Sequence, residues 1–358
     1  MANKRINLDA VFKTAQLGLV NKSISQTLGG MRTGHRRLLT PSDRANQGYV
    51  FMTRPQINLT TRNISGFRPL FPLMNTDVHS LAAWIRGTLD PRWALVGDAG
   101  MDISENELTY EGKTFSSQVD IKSPFINVIS NAVITVNGFP DIDAPTFTGE
   151  PNRIGASHMM TDGVDNLNMP LDITLTCRDM IGDPIYNLFR TLNAYQQQVY
   201  QGVVQRYPDF IMEDCIDYNV RLYRIKLSPD GEHIHSIAST YPGFVQGVAA
   251  GHKYDYSLND PYEEDNIVSL RFMFSGAVYE DPVLLDDFNM TVMYANSEMK
   301  NDKKGMTRVP RQYLEYFSYE RVYPFIDIDK YVLQWWATNE TYARVMALVN
   351  YKTATILV

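Results

Sequence analysis

The chain has 358 residues, enough for one large domain or two of ordinary size, because single cores rarely grow beyond about 250–300 residues. Hydrophobic residues make up 44% of it and charged residues 20%, and the 21 Tyr, 16 Phe and 16 Met suit interfaces as well as cores. The two cysteines lack close Cys or His partners, which argues against a disulfide framework and a zinc knuckle.

The net charge of −7 conceals an asymmetry along the chain. Residues 1–68 contain 11 basic and two acidic residues, whereas the remainder contains 22 basic and 38 acidic residues. A basic N-terminal arm therefore precedes an acidic body. The stretch "MRTGHRRLL" brings together Arg32, Arg36 and Arg37 without interleaved aromatic residues, so we favour docking of the arm onto a neighbouring protein copy over contact with DNA.

The first half of the chain predicts short elements. The arm, residues 1–68, combines a short amphipathic helix with a basic, glycine-rich stretch that cannot bury enough surface to fold alone, and its end is predicted to be extended. Residues 69–90 predict a helix capped by Thr76 or Asp77, and short strands follow up to residue 148. The stretch from Phe147 to Pro170 is interpreted as a long polar connection.

The clearest pattern begins with "LDITLTC", residues 171–177, whose strict alternation predicts a half-buried strand. A helix is predicted over residues 183–201, with Asp183 as N-cap and Pro184 at the first helical position. A hairpin around "SPDG" and a strand with Val268, Leu270, Phe272 and Phe274 on one face follow. This order predicts an α+β fold, an antiparallel sandwich or barrel-like sheet with one helix packed across it.

The C-terminal portion predicts strands and then a terminal helix that covers apolar surface with Trp335, Trp336 and Val345. The chain is therefore divided into four parts: the basic arm over 1–68, an α+β portion over 69–165, a β domain with the 183–201 helix over 166–289, and a C-terminal extension over 290–358. No run of about 18 apolar residues and no signal-peptide pattern occurs, so we expect a soluble protein without membrane insertion.

Chemical motifs are largely absent, and the sequence predicts no enzyme, no cofactor and no metal site. His233 and His235 share a strand face but lack further ligands nearby in sequence, so we interpret them as surface residues. The pairs Asp141/Asp143 and Asp327/Asp329 resemble no EF-hand loop and are interpreted as solvated loop ends. Nucleophile, phosphate-binding and dinucleotide motifs do not occur.

The order of elements over residues 171–280 resembles the tail-tube fold of contractile-tailed phages and of the baseplate proteins that start the tube. The segments that carry the resemblance are "LDITLTCRDMIGDPIYNLFRTLNAYQQQVYQG", "YNVRLYRIKL" and "STYPGFVQGVAAGHKYDYSLNDPYEEDNIVSLRFMFSGAVY". The resemblance implies a structural subunit of the virion, in the tail or baseplate, that assembles in the host cytoplasm into a ring with copies of itself and other tail proteins. The arm and the C-terminal portion depart from a shorter tube subunit, which favours a specialised ring in the baseplate or neck.

The resemblance also implies an edge segment that the next subunit completes by backbone pairing. Glycines would allow turns and close backbone approach, and tyrosines would supply rigid anchors. The residues predicted at this interface, together with the arm arginines Arg32, Arg36 and Arg37, are Tyr241, Gly243, Gly247, Gly251, Tyr254 and Tyr256.

Two other functions remain open at this point. One is a neck or capsid-associated virion protein whose basic arm contacts packaged DNA. The other is a cell-wall hydrolase carried in the particle, which is the less favoured because no catalytic motif supports it.

Overall fold

The computed structural model describes residues 48–75, 77, 80–96, 119–163, 166–180, 182–228, 231–249, 267–300, 303–317 and 321–356. Its strands are β1 Gly48–Met52, β2 Val133–Asn137, β3 Thr146–Thr148, β4 Met159–Thr161, β5 Leu171–Arg178, β6 Leu222–Leu227, β7 Ile234–Thr240, β8 Gly243–Val248, β9 Ile267–Phe274, β10 Ala277–Tyr279, β11 Met306–Val309, β12 Tyr323–Asp327 and β13 Val332–Thr338. Its α-helices are α1 Thr61–Ile64, α2 Leu81–Leu89, α3 Pro91–Val96, α4 Asn127–Ala132, α5 Pro184–Tyr200, α6 Pro208–Met212, α7 Val283–Ala295 and α8 Asn339–Ile356.

The strands form two four-stranded sheets and two smaller ones, all antiparallel. We call β2-β5-β9-β8 the open sheet and β1-β6-β7-β10 the covered sheet; the smaller sheets are β11-β13-β12 and the hairpin β3-β4. Within the described residues none of these sheets closes into a barrel. The predicted α+β class with an antiparallel sheet and a packed helix is confirmed.

The open sheet follows directly from the alternation in the sequence. Leu171, Ile173, Leu175 and Cys177 of β5 are buried, as predicted, and β9 presents its four predicted apolar residues to the same core. The register pairs Leu171 with Phe274 at one end of the sheet and Arg178 with Ile267 at the other. Helix α5 covers this face, with Leu188, Phe189 and Leu192 fully buried against it.

Helix α5 begins as predicted, but its cap differs from the prediction. Asp183 occupies the N-cap position in the left-handed region (φ 52°), and its side chain makes no capping hydrogen bond. The Asp179 carboxylate instead accepts hydrogen bonds from Ile185 N at 3.1 Å and Tyr186 N at 3.0 Å. Because a left-handed residue turns the chain sharply at Asp183, the carboxylate four residues upstream can reach the orphan N–H groups of the first turn.

The covered sheet contains the predicted hairpin, in which Ile225 of β6 lies opposite Ile237 of β7. One face of this sheet packs against α7 and the β11-β13-β12 sheet. Aromatic rings dominate that contact: Phe288 of α7 lies 5.2 Å from the Phe51 ring, 5.2 Å from Phe125 and 5.3 Å from Tyr223. This aromatic cluster fixes the C-terminal elements to the body.

The end of the predicted arm is part of the body. Strand β1 pairs with β6, from Gly48 opposite Lys226 to Met52 opposite Leu222, and Ile57 and Ile64 are fully buried. The N-terminal helix predicted before it lies outside the described residues. The division of the chain at residues 68, 165 and 289 stays a prediction.

Two other local predictions were wrong. Ser80 caps α2 through a hydrogen bond from Ala83 N at 3.2 Å, in place of Thr76 or Asp77. Trp335 and Trp336 lie in strand β13, and the terminal helix α8 begins only at Asn339. Consecutive bulky residues such as these fit a strand covered on both faces as well as they fit a helix, so local pattern alone does not separate the two.

The partly buried side chain of Arg54 joins the end of α2 to residues 120–123. Its guanidinium donates to the carbonyls of Gly87 at 2.7 Å, Asp120 at 2.7 Å and Ser123 at 3.0 Å. Burial lowers the pKa of Arg54 to about 10, so the side chain remains charged at neutral pH. The end of α2 is thereby tied to the segment that leads into α4.

Candidate assembly surfaces

One edge of the covered sheet is paired at its end, and the other edge is short. Where β1 ends, Met52 O accepts a hydrogen bond from Ile126 N at 2.9 Å, and Arg54 N donates to Pro124 O at 2.9 Å. At the opposite edge, β10 is only three residues long. Short or covered edge strands offer little backbone for a further strand to pair with.

The two edges of the open sheet have no such protection among the described residues. Strand β8 pairs with β9 on one side, and β2 pairs with β5 on one side. Their outer sides meet another described segment only where Gly243 N donates to Val220 O at 3.0 Å and Val220 N to Gly243 O at 2.8 Å. The remaining outward backbone groups of β8 and β2 can form a ladder with an added strand.

The predicted interface glycines in β8 have different surroundings. A Cβ added to Gly243 would lie 2.3 Å from Met273 O and 2.3 Å from the Phe274 ring, so glycine is required there for β8 to approach β9. A Cβ added to Gly247 would meet nothing within 4 Å. Gly247 lies at the shift in register after Val245, where β8 bends next to its open edge.

Tyr241 lies at the end of the covered sheet, between β7 and β8. Its N–H donates to Gly276 O at 2.9 Å, and its ring lies so close to Gly276 that an added Cβ there would be 2.6 Å away. The side chain is 39% exposed, so part of the ring remains available to a partner. The other predicted interface residues, Arg32, Arg36, Arg37, Gly251, Tyr254 and Tyr256, lie outside the described residues.

The face of the open sheet opposite α5 is largely exposed and carries mostly polar side chains, with the exposed apolar residues Phe244 and Ile267 among them. We call it the polar face. Asp172 of β5 and Arg271 of β9 form an ion pair of 2.7 Å across it, and both side chains are about half exposed. Thr174 and Ser269 lie on the same face. One face of this sheet is therefore packed against α5, and the other is exposed and mainly polar.

An exposed apolar surface lies where α5 ends and α6 begins. We call it the helix-end patch. Tyr200 is 92% and Met212 87% exposed, and Val203, Ile211 and Ile216 are also exposed. Arg92 stacks over the Tyr207 and Phe210 rings at 5.0 Å and 4.9 Å beside it and forms an ion pair of 2.8 Å with Asp209. Clustered exposed apolar side chains often mark a surface that contacts another protein, whereas single scattered ones do not.

The predicted polar connection instead contains a hairpin. Strands β3 and β4 pair from Thr146 opposite Thr161 to Thr148 opposite Met159, and almost every residue of 138–163 is exposed. We call residues 138–163 the exposed hairpin. The sequence shows the signal that was missed, the adjacent apolar residues Met159 and Met160 inside an otherwise polar stretch.

Neither histidine nor carboxylate pairs form a metal site in the part of the chain that the structure describes. No group of three His, Cys, Asp or Glu side chains there could hold a metal ion. His233 joins β13 through a backbone bridge to Val332, and Asp327 accepts a hydrogen bond from the Gln334 amide at 2.9 Å. Nor does any helix in the described ranges have the length and apolarity to cross a membrane.

Comparison with solved structures finds similarity to components of contractile injection systems. The chain is 12% identical to the tube-terminating cap of the anti-feeding prophage, over 45% of this chain and 84% of that one, with a TM-score of 0.29. It is 11% identical to the sheath/tube terminator of the extracellular injection system PVC in the extended state (41% and 84% covered, TM-score 0.25). For a chain of the extended PVC sheath-tube complex the identity is 10% (49% and 97% covered, TM-score 0.26).

The family comparison covers nearly the whole chain. No curated protein sequence matches it. A family model described as "Putative phage tail tube protein" matches residues 2–352. The chain therefore belongs to this family of structural proteins of the phage tail.

Proposed function

We propose that this chain is a structural, non-enzymatic subunit of a phage virion that forms a ring by pairing strand β8 of one copy with strand β2 of the next. The observation that carries the proposal is the contrast between the covered sheet, where β1 is paired at its end and β10 is short, and the open sheet, where β8 and β2 have little pairing on their outer sides among the described residues. Globular proteins normally cover or shorten such edges, because unpaired backbone groups invite association.

The topology of the open sheet supports this pairing. Neighbouring strands alternate in direction through the order β2-β5-β9-β8, so β2 and β8 run in opposite directions. A second copy related by rotation about an axis along the strands would place its β2 beside β8 with antiparallel direction. Each copy then pairs its β8 with one neighbour and its β2 with the other. Such a head-to-tail contact forms a closed ring when the rotation between neighbouring copies is a whole fraction of 360°.

The two faces of the open sheet suggest how the ring is oriented. Helix α5 occupies one face, and the polar face with the Asp172–Arg271 pair is free. In a sheet that closes around an axis, the bulkier face has more room at larger radius. The polar face would then line a water-filled channel, and α5 with the helix-end patch would face outward, toward other tail proteins.

The C-terminal elements favour a specialised ring in the baseplate or neck over a repeating tube subunit. Helix α7 and the β11-β13-β12 sheet form an additional layer over the covered sheet. A layer of this size adds surface that a simple repeating ring does not need, and it gives the ring a second kind of neighbour to bind.

A proline in β8 tests the proposed pairing. Ala249 N donates to Ser269 O, so by strand alternation the N–H of Val248 points to the open edge. Val248→Pro removes that donor without breaking a bond to β9, whereas Val248→Thr keeps the donor and the shape.

We expect both variants to fold, with unfolding free energies within about 1 kcal/mol of each other. The threonine variant should form rings in sedimentation and electron microscopy, and the proline variant should stay monomeric. Rings formed equally well by both variants would exclude β8 as the pairing edge.

A further inference from the structure

The exposed hairpin is poorly supported by its own chain. It is attached at its base, where Tyr279 Oη donates to Pro140 O at 2.7 Å and the Phe139 and Tyr279 rings lie 6.0 Å apart. Beyond this base, the bonds that hold it together are within the hairpin itself: the pairing of β3 with β4, and flanking backbone bonds such as Asp162 N to Pro145 O and Gly149 N to His158 O. An isolated two-stranded ribbon is marginally stable in water, so additional contacts are needed to order it.

The exposed hairpin carries large apolar side chains of the kind found in buried interfaces. The large apolar side chains exposed there are Ile142, Phe147, Ile154, Met159 and Met160, with Ile154 90% exposed. Methionines adapt their shape to a partner surface, and a cluster of this kind is unusual for a segment that stays in water. The exposed hairpin thus presents an apolar surface without a partner among the described residues.

The same segment is acidic. Residues 138–163 contain four carboxylates and one arginine, a formal charge of −3. The segment of this chain with the opposite character is residues 1–47, which contain eight basic and two acidic residues, a formal charge of +6, together with apolar residues such as Leu38 and Leu39. The two segments therefore have opposite formal charges, and both contain apolar residues that a contact could bury.

The positions of the two segments favour contact between copies. Residue 47 joins Gly48, which lies opposite Lys226 at one end of the covered sheet. The base of the exposed hairpin contacts Tyr279 of β10, and β1 and β10 are the two outer strands of the covered sheet. An arm that leaves at β1 therefore starts at the edge of the sheet away from its own hairpin, and this placement favours contact with the hairpin of a second copy.

We propose that the exposed hairpin of one copy binds residues 1–47 of a second copy. Carboxylates of the hairpin pair with the arm's basic residues, Arg32, Arg36 and Arg37 among them, and the hairpin's Met and Ile side chains bury against the arm's apolar residues. The inference rests on the proposed function, because it requires that copies assemble, but it concerns a contact separate from the β8–β2 edge.

Site-specific cross-linking in the full-length protein tests it. A photoreactive benzoylphenylalanine replaces Met160 in the hairpin, or Met212 in the helix-end patch as a matched exposed control. Assemblies are formed from an equal mixture of ¹⁴N- and ¹⁵N-labelled protein, irradiated and analysed by mass spectrometry. Isotope mixing separates contacts between copies from contacts within one chain, and sedimentation of the same sample reports assembly.

We expect cross-links from position 160 to peptides of residues 1–47 that join light and heavy chains, and none to the arm from position 212. Cross-links only within one chain, or only to other segments, would overturn the inference. Rings without hairpin–arm cross-links would overturn it and leave the proposed function standing. Absence of any assembly would overturn both.

A charge swap provides an independent test. Reversing Asp141, Asp143 and Glu150 to Arg should raise the protein concentration needed for assembly by about tenfold or more, as should reversing Arg32, Arg36 and Arg37 to Glu. Combining the two sets should restore assembly. Glu213→Arg, at an exposed residue next to Met212 of the helix-end patch, should have no such effect. If the combined variant fails to assemble although all the variants are folded, the proposed charge pairing is contradicted.

Discussion

The covered sheet and the open sheet have the same number of strands and differ in how their edges are treated. Residues 124–126 pair with the chain at Met52 and Arg54, where β1 ends, and β10 is short. The open sheet ends in β8 and β2, six and five residues long, with little cover in the described ranges. The proposed ring rests on this difference, because uncovered edge strands can pair with another chain.

The first prediction asks whether the covered sheet carries the stability. Phe288 is fully buried between three aromatic rings against this sheet, so Phe288→Ala should lower the unfolding free energy by about 3–5 kcal/mol. Urea denaturation followed by circular dichroism measures it. A loss below about 1 kcal/mol would show that the C-terminal layer is only loosely attached.

The second prediction concerns how the free energy of unfolding depends on pH. Burial raises the pKa of Asp90 from 3.8 to about 6, against the opposing effect of hydrogen bonds from Trp93 N, Leu59 N and Tyr207 Oη. The folded chain therefore holds a proton that the unfolded chain has lost between about pH 4 and pH 6. Stability should fall by up to about 3 kcal/mol as pH rises through that window and stay level above it.

Urea midpoints of the wild-type protein and Asp90→Asn between pH 4 and pH 7.5 provide the check. The variant should lose most of this pH dependence. A smaller effect of the same sign should persist, because burial also raises the pKa of Asp217. Stability that rises with pH across the window would show that Asp90 is held ionised.

The third prediction separates folding from assembly inside the open sheet. Gly243→Ala should cost about 1–3 kcal/mol, because the added methyl group would collide with the backbone of Met273. Gly247→Ala, at the shift in register after Val245, meets open space and should change stability by less than about 0.5 kcal/mol. Equal stability losses in the two variants would show that the backbone at β8 is less closely packed than described.

The fourth and smallest effect concerns the polar face. Arg271→Ala breaks the ion pair with Asp172, but both side chains are well exposed, so the loss should be below about 1 kcal/mol. Ring formation should persist, since the pairing edges are unchanged. If this variant folds but forms no rings, the subunits contact each other through the polar face and not through the strand edges.

Patterns within one element were enough to predict the centre of the fold. The alternation of β5 and β9, the proline at the start of α5 and the β6–β7 hairpin each depend on neighbours in sequence. The role of residues 48–64 was not visible, because β1 pairs with a strand far along the chain. Asp179 was missed as the α5 cap because that role depends on a left-handed turn at Asp183.

The candidate interface was predictable only in part. The sequence located the glycines of β8, but not that β8 ends a sheet whose other outer strand is β2, since strand order is set by tertiary pairing. The exposed hairpin was interpreted as a polar connection, because its apolar residues are interspersed with Asp, Asn and Gly. Exposure of those side chains becomes evident only once the folded surface is known.

Electron cryomicroscopy of the assembled ring tests the central claim most directly. We predict a continuous sheet across each subunit boundary, with β8 of one copy antiparallel to β2 of the next and the Asp172–Arg271 face toward the channel. A ring in which β8 and β2 both remain in contact with solvent, with the subunits joined through other surfaces, would contradict it.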